Sequence, residues 1–307
     1  MAHKKLSMSE EAKIAADIRS KGVSYLLDAA RDPKMFQRLQ ASLSAPAVRT
    51  ALIQVLRAEG KRLLEAYKKD HKKNKTPIQD APKKFHSPIR DILADPKMRD
   101  RLRELMMSAN GRKVVKSVTG TTEGEFLVVG YLFNAPGGPI LAGGMFVKVE
   151  GLKTVKAILD AACTVQVDPQ FVPKLPPFKP TREGERFRMQ LSSESGVNGL
   201  IAELITFARQ KTLQEQFQRY PTEMRSILRD VLSTDAGVNR VYKLMMSPQG
   251  REFLEMLGEV KIKGKPLGMV IAGDDLWLTK GGRKLVRKLL ETTDGIRAVV
   301  ALVSGFY

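Results

Sequence analysis

Arg57, Lys61, Arg62, Lys68, Lys69, Lys72, Lys73 and Lys75 recur at spacings of three, four and seven residues, which on a helix sets many of them along one side. Such a stripe has one evident chemistry: it can run along a phosphate backbone and release the counterions condensed there. Glu59, Glu65 and Asp70 interrupt it. A second group, Lys280, Arg283, Lys284, Arg287 and Lys288, surrounds Gly281-Gly282 at the start of an expected helix, where free amides and the helix dipole also favour an anion. Gly111-Arg112-Lys113 and Gly250-Arg251 repeat the glycine-then-basic pattern. These residues are the expected nucleic-acid contacts.

Catalytic chemistry finds little to use. The sequence contains no pair of cysteines, no His-x-x-x-His and no Gly-x-Ser-x-Gly. Gly138 and Gly143 have the separation of a Walker loop, but Gly144 follows where Lys-Ser or Lys-Thr is needed, and Gly264-Lys265 runs into Pro266. Asp274-Asp275 reads as a turn rather than a metal site. Cys163 is far in sequence from His3, His71 and His86 and is expected to be a buried, inert thiol. A non-catalytic protein without cofactor or metal is the expectation.

The formal charge of +19 on 34.1 kDa, with a pI near 10.0, calls for an anionic partner. Residues 1–90 carry 20 Lys and Arg against 9 Asp and Glu, so over half of the excess lies in under a third of the chain. With only 6% aromatics and no basic–aromatic sheet signature, base stacking is not the expected mode. DNA or RNA, held by its backbone with little sequence preference, fits best. Anionic lipid is a competing polyanion, but the basic helix lacks a bulky apolar face to enter a membrane interface. The alternative is a structural subunit of a larger protein assembly.

These residues must be positioned by repeated helices. Leu105-Met106-Met107-Ser108-Ala109-Asn110-Gly111-Arg112 returns as Leu244-Met245-Met246-Ser247-Pro248-Gln249-Gly250-Arg251, and the same offset of 139 aligns Pro82 with Pro221 and Arg101 with Arg240. Asp32-Pro33-Lys34-Met35 likewise returns as Asp95-Pro96-Lys97-Met98. Asp or Ser before Pro is a helix start, since the side chain accepts an orphan N–H and Pro at the first helical position loses nothing. Further starts are expected at Ser44, Ser108, Ser247 and Thr292. Leu102, Leu105, Met106, Val114, Val115 and Val118 share one apolar face, as do Leu244, Met245, Phe253, Leu254 and Leu257, and are expected to be core.

Glu125–Gly151 and Glu259–Gly282 read as β-hairpins, each feeding a last helix, Thr154–Leu159 and Lys284–Leu290. The expected fold class is therefore α+β, mainly α: a duplicated helix–helix–β-hairpin–helix unit plus an N-terminal helical region. Expected boundaries place a basic helical region at 1–75, repeat units at 76–165 and 189–307, and a Pro-rich linker at 166–188. Within the linker, Pro177-Phe178-Lys179-Pro180-Thr181-Arg182 has the form of a Pro-rich ligand, though a plain linker explains it. The charge-free run Phe126–Val147 is broken by Asn134-Ala135-Pro136-Gly137-Gly138-Pro139 and is read as a buried or oligomer-facing hairpin, not a transmembrane segment. A single cysteine and no secretory leader make the cytoplasm the expected location.

Overall fold

At Ser7, Asp32, Ser87, Asp95, Ser108 and Thr121, and again at Thr234, Ser247, Thr279 and Thr292, a side-chain oxygen turns back onto the helix that follows, and that local bond sets the architecture. The computed structural model describes residues 7–76, 78–146, 148–166, 182–193, 195–196, 198–199, 202, 221–259, 261–262, 265–266 and 279–303. It divides into two compact units, Met1–Val165 and Gln166–Tyr307.

The first unit contains α1 (Met8–Lys21), α2 (Ser24–Arg31), α3 (Pro33–Ser42), α4 (Pro46–Asn74), α5 (Ala81–Lys84), α6 (Pro88–Ala94), α7 (Pro96–Met107), α8 (Ala109–Thr119), α9 (Thr122–Glu125), a π-helical turn (Phe126–Leu132), α10 (Gly138–Phe146) and α11 (Val149–Thr164). Asp32 accepts from the Lys34 N–H at 2.9 Å and Asp95 from the Met98 N–H at 2.9 Å, each with Pro at the first helical position. The start expected at Ser44 falls one residue later, at Ala45-Pro46. The core gathers the expected Leu105, Met106, Val114, Val115 and Val118 with Ile92, Leu93, Leu127 and Tyr131.

The second unit contains α12 (Arg182–Leu191), α13 (Pro221–Leu232), α14 (Asp235–Met246), α15 (Pro248–Glu259), α16 (Lys280–Leu289) and α17 (Thr293–Val303). The sequence repeat is a repeat of structure: α7 and α8 recur as α14 and α15 at the same offset. A shorter repeat lies inside it. Thr234, Gly237, Ser247 and Gly250 recur 45 positions later as Thr279, Gly282, Thr292 and Gly295, and α14 packs on α16 while α15 packs on α17.

Each of these corners has the form Ser/Thr-x-x-Gly. The glycine N–H donates to the cap hydroxyl at 3.0 Å in Gly111–Ser108, 3.2 Å in Gly124–Thr121, 3.0 Å in Gly237–Thr234, 2.9 Å in Gly250–Ser247, 3.1 Å in Gly282–Thr279 and 3.0 Å in Gly295–Thr292. At Ser108 and Ser247 the hydroxyl also donates back, at 2.8 Å, to the carbonyl three residues earlier, Leu105 and Leu244. The glycine Cα lies over that same carbonyl, and a methyl group on Gly111 or Gly250 would overlap its oxygen. None of these glycines has positive φ; only Gly22 and Gly137 do among the described residues. Close approach of two helices, not backbone freedom, requires glycine here.

The α+β expectation is corrected by the structure, in which 85% of the described residues are helical. Phe126–Val147 is no hairpin. Phe126, Leu127, Val128, Gly130, Tyr131 and Leu132 are all buried in the π-helical turn, closed by the Phe133 N–H on the Val128 carbonyl at 3.2 Å. A segment apolar on every side carries no periodicity to separate buried helix from buried strand, and burial inside a helical unit decides it. Gly137, with φ 85°, turns the chain into α10 instead of joining two strands. Leu141 and Met145 are also fully buried, while Ile140 of the same segment is 55% exposed. In the second copy, Lys261–Ile262 and Lys265–Pro266 pair over two residues only, too few to make a sheet; 267–278, including Asp274-Asp275, lie outside the described residues. Gly151 and Gly281-Gly282, expected ahead of helices, sit in the first turns of α11 and α16. The linker residues 167–181 lie outside the described residues as well. Among the described residues no helix is long and apolar enough to cross a membrane.

Gly111→Ala is expected to cost about 1–3 kcal/mol or more, as overpacking at a fixed corner does. Gly120→Ala, whose methyl would sit 3.5 Å from the Lys116 carbonyl oxygen at a φ of −71°, should stay within about 0.5 kcal/mol. Urea midpoints followed by circular dichroism compare the two.

Candidate nucleic-acid interface

α4 has 29 residues and is about 44 Å long at 1.5 Å per residue. Its second half is anchored on one side by Gly60, Leu63, Leu64 and Tyr67, all buried. Gly60 lets the backbone of α9 come close, since a methyl there would overlap the Glu123 carbonyl oxygen. A mid-helix glycine costs about 1 kcal/mol relative to alanine, so this packing must offset it. The Tyr67 ring lies 5.4 Å from that of Phe126 and 5.4 Å from that of His71.

The end of α4 is tied down by a polar lock. Lys75 takes the left-handed conformation, φ 53°, and turns the chain back. Tyr67 Oη donates to the Thr76 carbonyl at 3.1 Å, and His71 Nδ1, at 2.8 Å from the same oxygen, must carry its proton to donate. Asp70 accepts from Thr76 Oγ1, from Lys84 Nζ at 2.9 and 3.0 Å and from Asn74 Nδ2 at 2.6 Å. Hydrogen bonds from Thr76, Lys84 and Asn74 hold its carboxyl down at about 2.

Outside this anchor, Lys61, Lys69, Lys72, Lys73 and Lys75 are exposed. Lys68 is half-buried and Arg57 turns inward, its Nη2 donating to the Ser117 carbonyl at 2.7 Å, which ties α4 to α8. Arg62 forms a fork with Glu59, at 2.8 and 2.7 Å, and reaches the His86 carbonyl at 2.8 Å. Burial pushes Glu59 up, but hydrogen bonds from Arg62 and Ser87 outweigh it and hold the carboxyl below its ordinary value. The neighbouring open cleft of about 520 Å³ is lined by Val23, Glu59, Arg62, Lys84 and His86. Its polar side chains are already paired, Lys84 with Asp70, Arg62 with Glu59 and His86 with Asp91 at 3.1 Å.

The glycine-led helix starts look different. Arg112 pairs with Glu150 at 2.6 Å and Arg251 with Asp294 at 3.5 Å, while Lys113 is exposed. On α16, Arg283 is only 5% exposed, Lys284 pairs with Asp235 at 2.6 Å, and Lys288 donates to Asn239 at 2.6 Å while lying 4.5 Å above the Tyr242 ring. Lys280 and Arg287 are exposed. The glycine N–H groups at these starts are spent on cap hydroxyls, so the corner accounts for the glycine without a ligand. The structure thus brings together the lysines of α4 and turns many of the other cations to structural use. Cys163 in α11 is half-buried rather than buried. Among the described residues no group of three or more His, Cys, Asp or Glu could hold a metal ion.

The lock of Asp70, Thr76 and Lys84 escaped sequence reasoning, because its members lie on three different local structures. The one available signal was Asn74-Lys75 before Thr76-Pro77, a helix stop. No family model, curated protein or solved structure matches the chain.

Because the folded Asp70 carboxyl sits near 2 against an ordinary 3.8, its contribution to stability is complete above about pH 4 and is lost as pH falls towards 2. Melting temperatures of the parent and Asp70→Asn should therefore differ at pH 5 and converge by pH 2.

Proposed function

We propose that this chain is a non-catalytic, cytoplasmic nucleic-acid-binding protein that grips the phosphate backbone, with little sequence preference, through the second half of α4. The observation that carries the reading is the run of exposed Lys61, Lys69, Lys72 and Lys73, with Lys75 at the cap, on a helix whose opposite side is buried and whose end is locked. Side chains on an ordered helix lose less freedom on binding than those on a loose tail, so the anchor favours contact. The overall +19 adds long-range attraction for a polyanion. The cleft of paired side chains beside α4 offers no comparable excess.

Binding measured by fluorescence anisotropy on a duplex DNA should weaken steeply with salt. Replacing Lys69, Lys72, Lys73 and Lys75 with Gln should flatten the log–log slope by about three to four, at about 0.9 per phosphate contact. The charge-matched control replaces the exposed Lys13, Lys34, Lys97 and Lys116 with Gln and should leave the slope within about one. Equal losses in both variants would reduce the α4 surface to a share of general charge.

A further inference from the structure

We propose that the occupant of the α4 surface is double-stranded DNA, with the second half of the helix seated in the major groove and its lysines reaching the backbones on both sides. This rests on the nucleic-acid reading above and narrows it. At about 100° per residue, Gly60, Leu63, Leu64 and Tyr67 fill one sector of about 100°, and the exposed charges from Lys61 to Lys73 fill about 120° of the remainder. Lys61 and Lys72 stand on one flank of that arc, Lys69 and Lys73 on the other, with Glu65 between them. Cations on two flanks match two phosphate backbones; a single strand would need only one line.

Glu65 supports the same geometry. It is exposed in the middle of the basic arc. A helix lying along one phosphate chain would press this carboxylate against like charge. In the major groove the centre of the arc meets base edges, where a carboxylate can accept from the cytosine N4 amino group. The groove, about 12 Å wide, admits a helix of about 10–12 Å diameter.

The competing nucleic acids fit less well. Single strands are held largely by stacking on aromatic rings. Tyr67 is the one Phe, Trp or Tyr between residues 57 and 75, and it is 2% exposed and facing the core. Duplex RNA has a major groove too deep and narrow for side chains to read.

The test uses the full chain and three probes with the same number of nucleotides: a 30-base-pair DNA duplex, the same duplex in RNA, and a 60-nucleotide single strand. At 150 mM salt the DNA duplex should bind at least tenfold tighter than either of the others, and bound protein should shield guanine N7, which lies in the major groove, from methylation by dimethyl sulfate. Glu65→Lys should change the salt slope by less than half a unit, because position 65 faces bases. Equal affinity for all three probes, tighter binding to RNA, unshielded N7, or a slope one unit steeper in Glu65→Lys would each overturn the groove geometry while leaving phosphate binding in place. Absence of binding to every probe would remove both readings.

Discussion

The carbonyl at the end of one helix and the glycine in the first turn of the next share a space that a single methyl group would fill. At Leu105 and Gly111, and again at Leu244 and Gly250, that carbonyl also receives the cap hydroxyl of Ser108 or Ser247. One oxygen is thus satisfied by a side chain and covered by a Cα–H, so this acceptor is not left orphaned where the chain bends. The direction of each new helix follows from this contact. α7 to α8, α14 to α15 and α16 to α17 all turn in sequence after it, and their apolar faces meet as a result.

Placement of α4 depends on the same economy of space. Gly60 brings α9 against the helix backbone, and α9 itself begins at the Thr121–Gly124 corner, whose glycine lies over the Val118 carbonyl. Tyr67 and Phe126 then pack together, and the lock from Asp70 to Thr76 and Lys84 stops the helix where the lysines end. The Asp70 carboxylate is engaged by three donors and is not left to neutralise Lys69, Lys72 or Lys73. Surface charge here follows from how acids are employed, not only from how many there are.

Helix starts and repeats were legible because their signals are local. Asp32-Pro33, Asp95-Pro96 and Ser87-Pro88 mark caps whose bonds close within two or three residues. Phe126–Val147 was not legible, since a uniformly apolar run separated by Pro and Gly satisfies both a strand pair and two buried helical turns. The corner glycines were half legible: their positions were evident, but loop relaxation, phosphate contact and close packing all ask for glycine, and only three dimensions show the carbonyl beneath it. Of the basic residues, Lys61, Lys69, Lys72, Lys73 and Lys75 stayed on an open face, while Arg57, Arg62, Arg112 and Arg283 were drawn inward or into pairs. Periodicity reports which side of a helix a residue occupies; it says nothing of the carbonyls and carboxylates that a distant segment brings to meet it.

The corner closes over six residues, and that has a kinetic consequence. Loop-closure entropy grows with the length of chain enclosed, so a bend fixed between such near neighbours costs little to form. Chains dominated by contacts of this range fold quickly, because few distant partners must find each other first. Each helix of the series can take its heading from the one before it as the polypeptide leaves the ribosome.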